Sequence, residues 1–202
     1  MTPRNERSVE EATRSEERHD SRDDLKSYVR FGAMIATAMV AMYVTTYVNT
    51  FTPSHVKWSE TRVFMTLLMG ATMAVIMLGF MMSMYKNWKL NVAIVLGSFV
   101  LFGLATWLVR SQTTVQDRSY MSAMIPHHSI AILTSERSEI RDVRVCELAV
   151  EIIESQRREI EEMNWLIADI ERNGVSGTAA EAQERPVPSF EGQATRTCRG
   201  GG

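Results

Sequence analysis

Three stretches without a charged residue decide most of what this chain can become. They run from Phe31 to Thr50, from Val63 to Tyr85 and from Leu90 to Val109. Each holds about 20 residues, and a helix rising ~1.5 Å per residue then crosses a ~30 Å hydrocarbon core. Backbone groups in lipid find no water to bond, so such stretches form helices. Aromatic and basic residues stand near the ends: Tyr28, Arg30, Tyr47, Trp58, Tyr85, Trp88, Lys89, Trp107 and Arg110. That is the belt expected at headgroup depth. The alternative is three buried helices of a soluble core, but 202 residues leave little to cover them.

Charge separates this middle part from its flanks. Residues 31–109 carry Lys57, Arg62, Lys86 and Lys89 against the single acid Glu60. The whole chain has 22 basic and 24 acidic residues, so it lacks the basic excess of a nucleic-acid binder. The first apolar stretch is too long for a signal peptide, and its leader mixes acids with bases. Three spans put the termini on opposite sides of the membrane. Arg22, Lys26, Arg30, Lys86 and Lys89 flank one side, and Lys57, Arg62, Arg110 and Arg118 the other. This bias predicts a cytoplasmic N-terminus and an extracytoplasmic C-terminal third.

Met65, Met69, Met73, Met77 and Met81 recur every fourth residue in the second span. Thioethers so placed could pass a soft cation along the helix. The plainer reading is adaptable packing between helices, to which methionine is suited. Residues 1–27 alternate Arg with Glu and Asp and read as a disordered or weakly helical tail. Residues 173–202, rich in Gly and Pro, read as a flexible tail.

Residues 114–172 predict an antiparallel helical pair. The first helix runs from Gln116 to about Glu136, with Met121, Met124, Ile125, His128, Ala131 and Ile132 on one stripe. His127 lies at the border of that stripe, and Pro126 predicts a kink. The second helix starts after Asp142, a good N-cap, and stops at Asn173-Gly174. Ala149, Ile152, Ile153, Ile160, Met163, Ile167 and Ile170 form its apolar seam. So small a pair buries little surface, which predicts a homodimer completing a four-helix bundle.

The chemistry-bearing set is Met121, Met124, His127, His128 and Met163. Soft thioethers with imidazole select Cu(I) or its analogue Ag(I). No carboxylate lies on the first helix's stripe, which disfavours magnesium and calcium. The competing reading is ordinary core packing. No nucleophile–base pair, phosphate loop or paired carboxylates point to an enzyme. Two cysteines are too few for a disulfide framework or a four-Cys zinc site. Nothing places Cys198 near Cys146, so their pairing stays open beside two free thiols.

Residues 120–170 closely resemble the domain of unknown function 305 family. MIPHH (Met124–His128), TSER (Thr134–Arg137) and REIEEMNWLI (Arg158–Ile167) carry the resemblance. It implies an all-α, ferritin-like helical domain, exported or anchored outside the cytoplasmic membrane of a bacterium. It also implies copper or silver binding through Met and His, because some members are implicated in it. Val143 replaces a proline frequent in the family, and Leu133 a methionine frequent in copper-binding relatives. The expected protein has a three-span region over 28–110 and a metal-binding half bundle over 114–172. It sits in the inner membrane, handing an ion to a periplasmic copper-handling partner. The alternative is a membrane-anchored assembly module with no metal role.

Overall fold

The computed structural model describes residues 3–198, with side chains from Asp24 onward. The elements are α1 (Pro3–Thr45), a 3-10 turn (Pro53–His55), α2 (Glu60–Phe80), α3 (Trp88–Ser111), α4 (Asp117–Arg137), α5 (Val143–Asn173) and α6 (Ala179–Glu184). Among the described residues there is no strand, so the protein is all-α as expected. It divides into two compact units: residues 1–42 with 64–110, and residues 43–63 with 111–202.

Three helical segments are long and apolar enough to cross a membrane: Asp24–Thr45, Glu60–Phe80 and Trp88–Ser111. The sequence finds all three but misplaces their ends. The first helix stops at Thr45, not Thr50, where Thr46 turns its hydroxyl onto the Tyr43 carbonyl and competes with the helical ladder. The segment expected to be disordered or weakly helical is, from residue 3, the helical beginning of α1; residues 1 and 2 lie outside the described residues.

Within the first unit, Phe31, Leu78 and Tyr85 form a buried cluster, with Met77 and Met81 packed against it. Gly70 lies against the Met39 thioether, which occupies the space a Cβ would need. Met65 and Met69 face outward. The methionine stripe therefore turns from exposure to packing along α2 and just past its end. One buried polar knot joins the helices. Asn91 donates to the Tyr85 carbonyl and accepts from the Tyr28 hydroxyl at 2.7 Å.

The second unit is built on α4 and α5, which run in opposite directions. Arg118 pairs with Glu171, His128 with Glu159, and Glu136 with Arg157. Asp142 caps α5 as expected, its carboxylate accepting from the Arg144 N–H. Gly174 ends it at a φ of 79°, a left-handed turn that favours glycine. Pro126 is buried inside α4, which continues through it as one helix. Ile125, Ile132, Ile153 and Ile160 are almost wholly buried.

That burial answers the small-core problem from within the chain. Phe51, from the segment joining α1 to α2, packs against the isoleucines. Its N–H donates to the fully buried Ser129 hydroxyl at 2.7 Å, and that hydroxyl is also hydrogen-bonded to His55 Nδ1 at 2.9 Å. Burial pushes the His55 imidazole below its usual range, which favours the neutral ring.

The flexible-tail reading is corrected over 173–198, and its last four residues, 199–202, lie outside the described residues. Residues 179–184 form α6, closed by a capping box between Thr178 and Glu181. Arg185 pairs with Asp169 at 2.7 Å, and Cys198 is disulfide-bonded to Cys146. Sequence distance concealed both ties, since neither has a local pattern.

Candidate functional site

One turn apart, Met121 and Met124 emerge from the same stretch of α4, and His128 follows a turn later. Met163 comes from α5. The four line a single groove of about 650 Å³. His127 does not. It is exposed on the far side of the border position, its ring 6.0 Å from that of His128. Adjacent residues on a helix point ~100° apart, so only one of a His-His pair can face a given groove. Four of the five residues expected at the site therefore share it.

His128 is held at both nitrogens. Nδ1 donates to the Met124 carbonyl at 2.9 Å, a bond that fixes the ring and turns Nε2 toward α5. Nε2 then lies 2.7 Å from Glu159 Oε2. A carbonyl can only accept, so Nδ1 is the donor there, and Nε2 is the nitrogen that faces the Glu159 carboxylate. The Ser155 hydroxyl donates to the other Glu159 oxygen, Oε1, at 2.7 Å, and the Gln156 amide donates to Oε2 itself at 3.3 Å.

The groove is more acidic than the sequence suggested. Asp117, Glu159, Glu162 and Asp169 all line it, with Arg185 bound to Asp169. Met121 is buried and Met163 half-buried, while Tyr120 and Trp165 add aromatic wall. The expectation that carboxylates stand apart is corrected: it considered α4 alone, and the acids arrive mostly from α5. Glu159 precedes Met163 by four residues and so shares its side of the helix. That spacing is the signal that could have found it. Among the described residues, no three His, Cys, Asp or Glu side chains gather into a group that could hold a metal ion.

Fold and groove together define a helical protein with three membrane-crossing candidates and a thioether–imidazole groove on a separate helical unit. The chain belongs to the family described as domain of unknown function DUF305, whose profile matches residues 105–196. It is 30% identical over 142 residues to an uncharacterised protein of Acanthamoeba polyphaga mimivirus, which covers 67% of this chain and 91% of that one. No solved structure matches the chain.

Proposed function

We propose that this is a multi-pass membrane protein whose α4–α5 unit binds a soft monovalent cation, Cu(I) or Ag(I), for sequestration or handover. The observation that carries this reading is the convergence of Met121, Met124, His128 and Met163 on one acidic groove. Thioether sulfur and imidazole nitrogen suit a soft ion, and surrounding carboxylates favour a cation of any kind. The Nδ1 bond to the Met124 carbonyl orients His128 as outer hydrogen bonds orient metal-bound histidines. An incoming ion meets the ring at Nε2, with the Glu159 carboxylate beside it to balance its charge.

The Cys146–Cys198 bond supports an extracytoplasmic position for this unit, because disulfides persist where the compartment is oxidising. The basic residues flanking the spans favour the same orientation. A second reading, an assembly module with no metal role, is favoured by Val145 and Leu148, exposed one turn apart on α5.

The test is an anaerobic titration of the full chain in detergent micelles, with Cu(I) shared against a chromogenic chelator. Wild type competes for the ion. Met121→Leu with Met124→Leu weakens binding at least about tenfold, and Glu159→Gln weakens it about 10–100-fold. Wild type that leaves all Cu(I) with the chelator sinks the metal reading.

A further inference from the structure

Residues 174–198 turn back along α5. Arg185 pairs with Asp169 near the end of the helix, Gly192 lies against the Glu154 carbonyl midway, and Cys198 bonds to Cys146 near the start. A Cβ at 192 would collide with that carbonyl, so the close approach requires glycine. The thirteen residue steps from Arg185 to Cys198 thus cover the twenty-three steps of helix from Asp169 back to Cys146. That helix length is about 35 Å, and thirteen steps reach at most ~45 Å. The segment has little slack.

Between Arg185 and Cys198 it forms no helix or strand. Pro186 and Pro188 favour extended backbone and supply no N–H donor. The ties found on its far half are the Thr195 N–H to Glu136 and the Arg196 guanidinium to the Ser135 and Ser138 carbonyls. Yet this segment walls two cavities. Arg185 and Val187 close one side of the 650 Å³ groove, and Glu191 and Gln193 close a second cavity of about 420 Å³ beside His55.

We propose that residues 186–198 are a redox-released strap: thiol–disulfide exchange at Cys198 frees them and opens both cavities, while the α4–α5 pair stays folded. Cys198 is half-exposed and Cys146 is buried, so the sulfur of Cys198 is the one open to attack. A thiolate of a dithiol reductant bonds to it, the Cys146–Cys198 bond breaks, and Cys146 leaves as a thiolate that takes up a proton. The reductant's second thiol then displaces Cys198 as a thiol. Two electrons pass to the chain, and the reductant departs as its own disulfide. Met121, Met124, His128 and Met163 all stand on α4 and α5, so release alters access to the groove and leaves the donor set whole. That effect on the ion rests on the proposed function; the release itself does not.

The test is hydrogen exchange read by mass spectrometry on the full chain in micelles, in three forms: oxidised, reduced with dithiothreitol, and Cys198→Ser. Amides over 187–198 exchange about tenfold faster in the latter two, while 150–168 of α5 keeps its protection. Unchanged protection over 187–198, or equal loss across α5, overturns the strap. A second arm measures Ag(I) in Cys146→Ser/Cys198→Ser, where no thiol competes. Release of Ag(I) to a chelator quickens severalfold with the equilibrium constant nearly unchanged. An unchanged release rate overturns the role of the strap in access. If Ag(I) binds no form, the groove reading fails, and the exchange arm alone decides the strap.

Discussion

The two units solve the same problem, holding helices together, by different means. In the first, large apolar side chains remain outside, among them Phe80, Phe99 and Val100, and close packing of Phe31, Leu78 and Tyr85 joins the helices. In the second, two helices with a thin isoleucine core are tied by specific polar contacts and one covalent bond. In the membrane position proposed for the first unit, a lipid solvent gives no hydrophobic gain for bringing apolar helices together, which leaves packing and small residues such as Gly70 to hold them. Water gives that gain, but a pair of helices has too little surface to exploit it, so the second unit recruits Phe51, Ser129 and its own C-terminal segment.

The largest expected effect falls on the covalent tie. Cys198→Ser costs about 2–5 kcal/mol in the attachment of the C-terminal segment to the second unit, while the α4–α5 pair keeps its own stability. Limited proteolysis mapped by mass spectrometry reads the two units separately, and equal sensitisation of 64–110 would erase the contrast. Next comes Ser129→Ala, which leaves the Phe51 N–H and His55 without their partner in a fully buried place. It costs about 1–3 kcal/mol, measured by denaturant titration. Tyr28→Phe removes a comparable bond, to Asn91, from the first unit. Polar bonds between membrane helices are weaker, so the cost is about 0.6 kcal/mol. A cost as large as that of Ser129→Ala would show that both units depend equally on polar contacts.

The smallest effect is a pH dependence confined to the second unit. Burial lowers the His55 value below its ordinary 6.5. The unfolded chain therefore gains a proton first, and stability declines as pH falls below about 6.5. His55→Gln flattens that slope. At lower pH Glu136 contributes a further loss. Burial alone would raise its value, but the Thr195 contacts and the Arg157 charge outweigh burial and hold it below 4.5. Its contribution is complete above that ordinary value and disappears as pH falls through the depressed one. Thermal scans across pH 3 to 8 check both, at roughly the mildest and harshest conditions such a unit tolerates.

What could be read from the residues was whatever local chemistry determines. Asp142 and Gly174 mark the limits of α5 because capping acts within one turn. Met121, Met124, His128 and Met163 share a groove because helical period places them there. His127 did not follow, being a neighbour of His128 in sequence but not in direction. Glu159 was hidden in a run of like residues, Arg158 to Glu162, where only contact with His128 singles it out. The C-terminal segment was misread most completely. Its glycines and prolines have the composition of a mobile tail, whereas Arg185, Gly192 and Cys198 are fixed by residues 16 to 52 positions away.

The bond between Cys146 and Cys198 also closes residues 146–198 into a covalent circuit. A protease that cuts once inside it, for instance in the exposed stretch after Asn173, severs the backbone without separating the pieces. Electrophoresis without reductant would show one species of full size, and only a reducing gel would reveal the cut. A clipped molecule of this kind keeps its C-terminal piece in place, so damage to the chain and loss of that piece are separate events.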